Sequence, residues 1–225
     1  MEIVFIRHGQ PEWIRDGLNV TNPPLTELGH AQARAMADTL ATQHFDQIYA
    51  SPLLRARQTA EPLFDIQRRD EQIAPWLEEI RDPAWHGSPQ EKAEAAYAEL
   101  KGRPAHARWD GLEGGESIRE FTTRIRAGAD AFFADRGMVR TDDELPIWHI
   151  EDPDRSIALV AHAGTNSVTI AHLLGLQPTP WEWERFVLGH TSVSRLEALE
   201  VHDGFTFSLT KLSDVEHLDV GQRTR

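Results

Sequence analysis

Short apolar strands alternating with amphipathic helices constrain this chain most. Glu2 to Ile6 is a brief β-rich run closed by turn-like residues, the pattern of a buried strand. A polar, Pro-containing loop, Gln10 to Pro24, follows it. Thr26 is placed to cap a helix from Glu27 to Thr42, with Leu28, Ala31, Ala35, Met36 and Leu40 on one face. Gln47 to Ala50 reads as a second strand. Ser51 then reads as the cap of a helix with Pro52 at its first position, where the missing N–H costs nothing. Ile66 to Ile73 suggests a short edge strand. Glu116 to Arg136 is the clearest amphipathic helix, presenting Ile118, Phe121, Ile125, Ala129 and Phe132 together. Ser156 to Ala161 is another buried strand, with a helix from about Ala163 to Leu174. Trp181 to Val187 reads as a short helix. Ser194 to Val201 and Phe205 to Leu212, joined by Asp203-Gly204, form an antiparallel hairpin pattern. The expectation is an α/β fold: a three-layer α/β/α sandwich on a mixed, mostly parallel sheet.

Two segments interrupt this rhythm. Asp82 to Gly115 is irregular, with a helical stretch near Gln90 to Leu100, and reads as a cap insertion over one end of the sheet. Met138 to Arg155 is acidic and reads as a long surface loop or a small hairpin. The tail after Asp214 is expected to be weakly ordered. The 225 residues suit one domain, 1–225, carrying the cap at about 82–115 and the acidic loop at about 138–155.

Bulk composition narrows the partners. A net charge of −13 opposes binding to nucleic acid or anionic membranes. No apolar run approaches the roughly 20 residues that span a bilayer. The first residues carry no secretory-signal pattern, so a cytoplasmic location is expected. With no cysteine, thiol chemistry is excluded.

In open α/β sheets, ligands bind beyond the carboxyl ends of the strands. Three such ends carry polar groups: Arg7-His8-Gly9, Ser51-Pro52-Leu53-Leu54-Arg55 and His162-Ala163-Gly164. Two guanidinium forks suit the oxygens of a phosphoryl group. The helix opening at Ala163 can turn free N–H groups toward an anion. A neutral imidazole can attack phosphorus, and a second histidine can donate to the equatorial oxygens. The arginines supply the positive charge, so neither metal nor cofactor is required. A leaving alkoxide needs an acid, and the candidates lie in Trp76-Leu77-Glu78-Glu79-Ile80-Arg81-Asp82. Nearby arginines would lower such an acid's pKa until bound phosphate neutralises them.

Several segments in one order carry a resemblance: Phe5-Ile6-Arg7-His8-Gly9, Pro24-Leu25-Thr26-Glu27-Leu28-Gly29, Ser51-Pro52-Leu53-Leu54-Arg55-Ala56-Arg57-Gln58-Thr59-Ala60, Leu77-Glu78-Glu79, Gly114-Gly115-Glu116-Ser117 and Ala161-His162-Ala163-Gly164. The chain resembles the histidine phosphatase superfamily, the phosphoglycerate-mutase-like branch 1. The resemblance implies that His8 is the nucleophile that becomes phosphohistidine. It implies that Arg7, Arg55 and His162 complete the phosphate pocket, with Ala163 beside them, and that Glu79 rather than Glu78 is the acid. Gln10, Trp85 and Glu116 are candidates for substrate contact, although Glu116 reads equally as a first-turn helix charge.

The departures from the pattern matter as well. Gln10 and Pro11 stand where the mutases usually carry Glu and a small hydroxyl residue. Arg81 to Gly87 resembles a phosphatase segment, with His86 in place of Glu. Hydrolysis of a small phosphomonoester is therefore expected, with phosphoglycerate mutase and a non-catalytic phospho-ligand binder as alternatives. Among the remaining histidines, His86, His149, His190, His202 and His217 lack ligand spacing, and His190 precedes the last hairpin, from where it could approach the pocket. The terminal hairpin offers an edge through which a homodimer could form.

Overall fold

The computed structural model describes every residue except Asp143. Strand β1 (Glu2–Arg7) lies inside a seven-stranded mixed sheet. Its alternate side chains enter two cores: Ile3 and Phe5 on one face, Val4 and Ile6 on the other. All four are at most 1% exposed, so each contributes roughly 1.5–3 kcal/mol of burial.

Two short strands, β2 (Ile14–Arg15) and β3 (Leu18–Asn19), form a separate hairpin. Helix α1 (Glu27–Leu40) starts at Thr26, whose hydroxyl accepts from the Gly29 amide. Strand β4 (Gln47–Ala50) leads to helix α2 (Leu54–Ile66), and helix α3 (Gln90–Gly102) lies in the insertion. Helix α4 (Ile118–Ala134) begins with a capping box between Ser117 and Glu120. Strands β5 (Met138–Arg140), β6 (Trp148–Ile150) and β7 (Ser156–Ala161) follow. Helices α5 (Ala163–Leu173) and α6 (Glu182–Arg185) precede the long hairpin of β8 (Val193–Val201) and β9 (Gly204–Asp214). Helices α1 and α2 pack on the Val4/Ile6 face, whereas α4 and α5 cover the Ile3/Phe5 face.

The strand order is β4-β7-β1-β8-β9-β6-β5. Only β4-β7 and β7-β1 are parallel; the other four pairings are antiparallel. The sheet is mixed, as the terminal hairpin implied, but it is not mostly parallel. The terminal hairpin already sets two antiparallel pairings against the two parallel ones, and the acidic 138–155 segment, which folds as a small hairpin, adds two more through β5 and β6.

Three local expectations are corrected. Helix α2 has Leu53, not Ser51, at its N-cap, and its first amide, Leu54 N–H, is capped at long range by Asn22 Oδ1 at 2.8 Å. In place of an edge strand at 66–73, α2 persists to Ile66 because Leu63 and Phe64 are buried, and only Ile73 bridges to Ala50. The tail after Asp214 is docked: Leu218 is 2% exposed and Gln222 and Thr224 hydrogen-bond to Gln32.

The cap insertion is tied down through the β2–β3 hairpin. Asn19 Nδ2 donates to the carbonyls of Ser88 and Pro89, and the Gln90 amide donates to Gly17 O.

Candidate active site

Three adjacent parallel strands end at one level. Arg7 is in register with Ala161, the His8 amide donates to Ala161 O at 2.9 Å, and the Ser51 amide donates to Val160 O at 2.9 Å. His8 and His162 therefore leave neighbouring strands together, with ring centroids 5.1 Å apart. Both are buried.

The hydrogen bonds of His8 assign its tautomer. Its Nδ1 lies 2.7 Å from Gly9 O, which can only accept, so Nδ1 carries the hydrogen and Nε2 keeps its lone pair. Burial holds the His8 pKa well below the usual histidine range, with Arg55, His162 and Arg7 adding to the effect. The imidazole is thus neutral and basic at the unbound nitrogen. Gly9 is obligatory: a Cβ there would lie 2.7 Å from Gly29 O at the start of α1. Its amide donates to Thr59 Oγ1, which in turn donates to Arg55 O, joining the His8 loop to α2.

Arg7 and Arg55 are placed for an anion. Arg7 Nη1 donates to Leu188 O at 2.6 Å and Nη2 to His190 Nε2 at 3.1 Å. Trp13 stacks on the Arg55 guanidinium at 4.7 Å. Burial lowers each arginine to a pKa of about 10, so both stay charged at neutral pH. Among the described residues, neither makes an ion pair within 4 Å, and Nε of each is buried without a hydrogen-bond partner. Positive charge gathered at these strand ends, buried on Arg55 and half-buried on Arg7, with the carboxyl groups of Glu79 and Asp82 acting on it from beyond ion-pair distance, can hold a polyanion. It exists locally against the net −13 of the whole chain.

His162 precedes α5. Its Nε2 lies 2.7 Å from Ser51 Oγ, while Nδ1 is buried without a partner. Burial, followed by Arg55 and Arg7, depresses its pKa well below the histidine range. Ala163 opens α5, and the next amide, Gly164 N–H, donates to Glu79 Oε2 at 2.8 Å. Glu79 Oε1 accepts from the Ile80 amide at 2.9 Å. Burial raises the Glu79 pKa, and this outweighs the lowering by its two backbone donors and Arg55. The balance differs from the sequence expectation, in which the arginines dominated. Glu78 points away and pairs with Arg81 at 2.6 Å.

The three candidates for substrate contact are otherwise engaged or more distant. Gln10 Oε1 accepts from Thr26 Oγ1 at 2.9 Å, so this side chain fastens the α1 cap. Glu116 pairs with Arg124 at 2.7 Å and accepts from the Arg81 amide. Trp85 packs edge-on against Tyr97 at 5.7 Å in the cap, and Tyr97 donates to Asp82 at 2.7 Å. Ser51, read from sequence as a cap, and Thr224, read as loose tail, both reach the site. The Arg–His–Thr chain fixes His190: Arg7 can only donate, so His190 Nε2 accepts and Nδ1–H donates to Thr224 Oγ1 at 2.8 Å. Arg57, by contrast, sits at the surface paired with Glu71. No cluster of three or more His, Cys, Asp or Glu among the described residues is arranged to hold a metal ion. No helix among them is long and apolar enough to cross a membrane.

The family model described as "Histidine phosphatase superfamily (branch 1)" matches residues 3–210, a span that contains all three strand ends. The chain belongs to this superfamily. Among curated proteins it is 34% identical over 143 residues to a 2,3-bisphosphoglycerate-dependent phosphoglycerate mutase of Brucella ovis. That match covers 55% of this chain and 64% of the relative's length. Among solved structures it resembles a mycobacterial glucosyl-3-phosphoglycerate phosphatase at 26% identity and a TM-score of 0.68, over 95% of this chain and 99% of that one. A structure described as a putative alpha-ribazole-5'-P phosphatase from Escherichia coli matches at 25% identity and a TM-score of 0.68, over 95% and 97%. Within the superfamily, the neutral imidazole, the unpaired arginines and the carboxyl group at the α5 terminus are all present in this chain.

Proposed function

We propose that this protein is a phosphomonoesterase that works through a phosphohistidine on His8. The observation that carries the reading is the pairing of a neutral, Nδ1-protonated His8 with two arginines, Arg55 buried and Arg7 half-buried, that lack ionic partners within 4 Å among the described residues. His8 Nε2 attacks phosphorus, and the bond from phosphorus to the ester oxygen breaks. The Glu79 carboxyl proton passes to that oxygen and releases the alcohol. Water then attacks phosphorus, Glu79 takes its proton, the P–N bond breaks, and inorganic phosphate leaves with His8 restored. Arg7 and Arg55 hold the phosphoryl oxygens throughout, and His162 Nδ1–H donates to one as charge accumulates.

Burial of Glu79 supports its role, since raising its pKa favours the protonated form that donates. The decisive experiment is a rapid acid-free quench with ³²P-labelled substrate. Label on His8 that is stable to alkali and lost in acid is expected, and undiminished turnover by His8→Ala would reject the proposal.

The 34% identity to a mutase favours one second reading, transfer between two hydroxyls of phosphoglycerate. Gln10, engaged with Thr26, and the apolar cap weigh toward hydrolysis. Incubation with 3-phosphoglycerate separates the two: hydrolysis releases phosphate and leaves glycerate, whereas a mutase yields the 2-phospho isomer faster than phosphate.

A further inference from the structure

We propose that the cavity beside the acid segment receives the leaving group, and that the substrate is a phosphomonoester of an alcohol bearing an apolar, ring-sized group. This rests on the hydrolytic reading above and names its substrate class. The cavity, about 210 Å³, lies between the 80–82 segment, α3 and α6. Its walls include Ile80, Tyr97, Leu112, Trp181 and Trp183, with Asp82 also lining it.

Three contacts set the wall of this cavity beside the chemistry, although no catalytic side chain lines it. The Ile80 amide holds Glu79 Oε1 at 2.9 Å. Trp183 Nε1 and Glu79 Oε1 both crowd the point where a Cβ on Gly164 would sit, so the indole edge and the acid are near neighbours. Asp82, which accepts from Tyr97, lies in the field of Arg55. An alcohol oxygen protonated by Glu79 therefore has this wall beside it.

The lining argues for an apolar occupant. The rim charges mostly satisfy one another: Arg108 pairs with Glu184 at 3.0 Å, Glu116 with Arg124 and Arg81 with Glu78. Lys101 at the rim is the exception. Apart from Lys101 and Asp82, what remains facing the space is mainly aliphatic and aromatic, which gives a second phosphate a single cation to bind. Concave apolar surface of this kind marks a ligand site. An apolar cavity of about 150 Å³ already holds a benzene ring, so one ring fits here.

The test compares ethyl phosphate with phenethyl phosphate, two alkyl esters that differ by one ring. The wild-type protein is expected to favour phenethyl phosphate by about tenfold or more in kcat/KM. Leu112→Trp, which fills the cavity, should abolish that preference by lowering phenethyl phosphate turnover, with circular dichroism and thermal unfolding reporting that the variant is folded. Trp181→Ala, which enlarges the cavity, should shift preference toward 2-naphthylethyl phosphate and covers the case in which Leu112→Trp fails to fold. Equal kcat/KM for the two esters in wild type, or a preference untouched by the variants, would overturn the assignment. Failure of the hydrolytic reading looks different: turnover of both esters would then survive His8→Ala.

Discussion

Ser51 Oγ lies 2.7 Å from Nε2 of His162, and both residues are 0% exposed. With the hydroxyl donating into Nε2, the hydrogen of this neutral imidazole sits on Nδ1, the atom left without a protein partner. In that arrangement Ser51 selects the tautomer that can donate to a phosphoryl oxygen. Ser51→Ala leaves Nε2 free to carry the hydrogen, which presents a lone pair to the anion instead. The expected result is a fall in kcat of about tenfold to a hundredfold. Stability should drop by about 1–3 kcal/mol for the unsatisfied buried nitrogen. Steady-state kinetics and urea unfolding check both, and Ser51→Thr should recover part of the rate.

Arg124 acts on the acid from behind. Its Nη1 donates to Glu78 O at 3.0 Å and Nη2 to Glu79 O at 3.2 Å, while Glu116 holds the same guanidinium through Nε and Nη2. This fixes the main chain from which Glu79 reaches Gly164. Arg124→Met should loosen the acid without touching the phosphate clamp. Release of p-nitrophenol, which leaves without protonation, should change by less than about threefold in a single turnover. Release of ethanol from ethyl phosphate should slow by about tenfold or more. Glu79→Gln should show the same asymmetry, more strongly. Equal loss for both esters in Arg124→Met would mean that the arginine supports the fold and not the acid.

Gly164 admits the acid. A Cβ there would lie 2.5 Å from Glu79 Oε1 and closer still to Trp183 Nε1. Neither neighbour is a flexible chain end with room to retreat, since Glu79 is held by two amides. Gly164→Ala is expected to displace the carboxyl group and cut kcat by about a hundredfold, a loss that activity assays of the folded variant would measure. Helix propensity alone would predict a modest gain in stability from the same change, so a variant that is both more stable and fully active would refute the close packing.

Much of this site was legible because strand ends in an α/β sheet converge wherever their sequence positions lie. Residues 7, 8, 55 and 162 need only the rule that ligands gather at carboxyl ends. Glu79 was reachable too, through the register set by Leu77. The parallel content was overestimated because β8 and β9 alone already match the two parallel pairings with two antiparallel ones, and the small hairpin within Met138 to Arg155, one of the two forms its composition allowed, adds two more. Ser51 was misread for a physical reason: Ser followed by Pro opens many helices, and only the distant Asn22 carbonyl, which caps Leu54 instead, frees the serine for His162. Thr224 and Arg124 act across separations of 34 residues to His190 and 45 to Glu79, and no local pattern encodes such pairings.

His190 makes a prediction about acid stability. Burial, and then Arg7, lower its pKa to about 3. The unfolded chain binds this proton near pH 6.5, so the native state is undiminished above 6.5 and loses stability as pH falls from there toward 3. The slope from this one group is about 1.4 kcal/mol per pH unit. His8 and His162, also depressed, act in the same direction. His190→Gln keeps an acceptor for Arg7 and a donor for Thr224 while removing the titration. Urea midpoints taken between pH 7 and pH 4.5 should show a shallower acid decline for the variant, by about that slope, with similar stability at pH 7. Parallel curves for wild type and variant would show that His190 titrates in the folded protein as it does in the unfolded chain, and the buried Arg7–His190–Thr224 chain would then not hold it neutral.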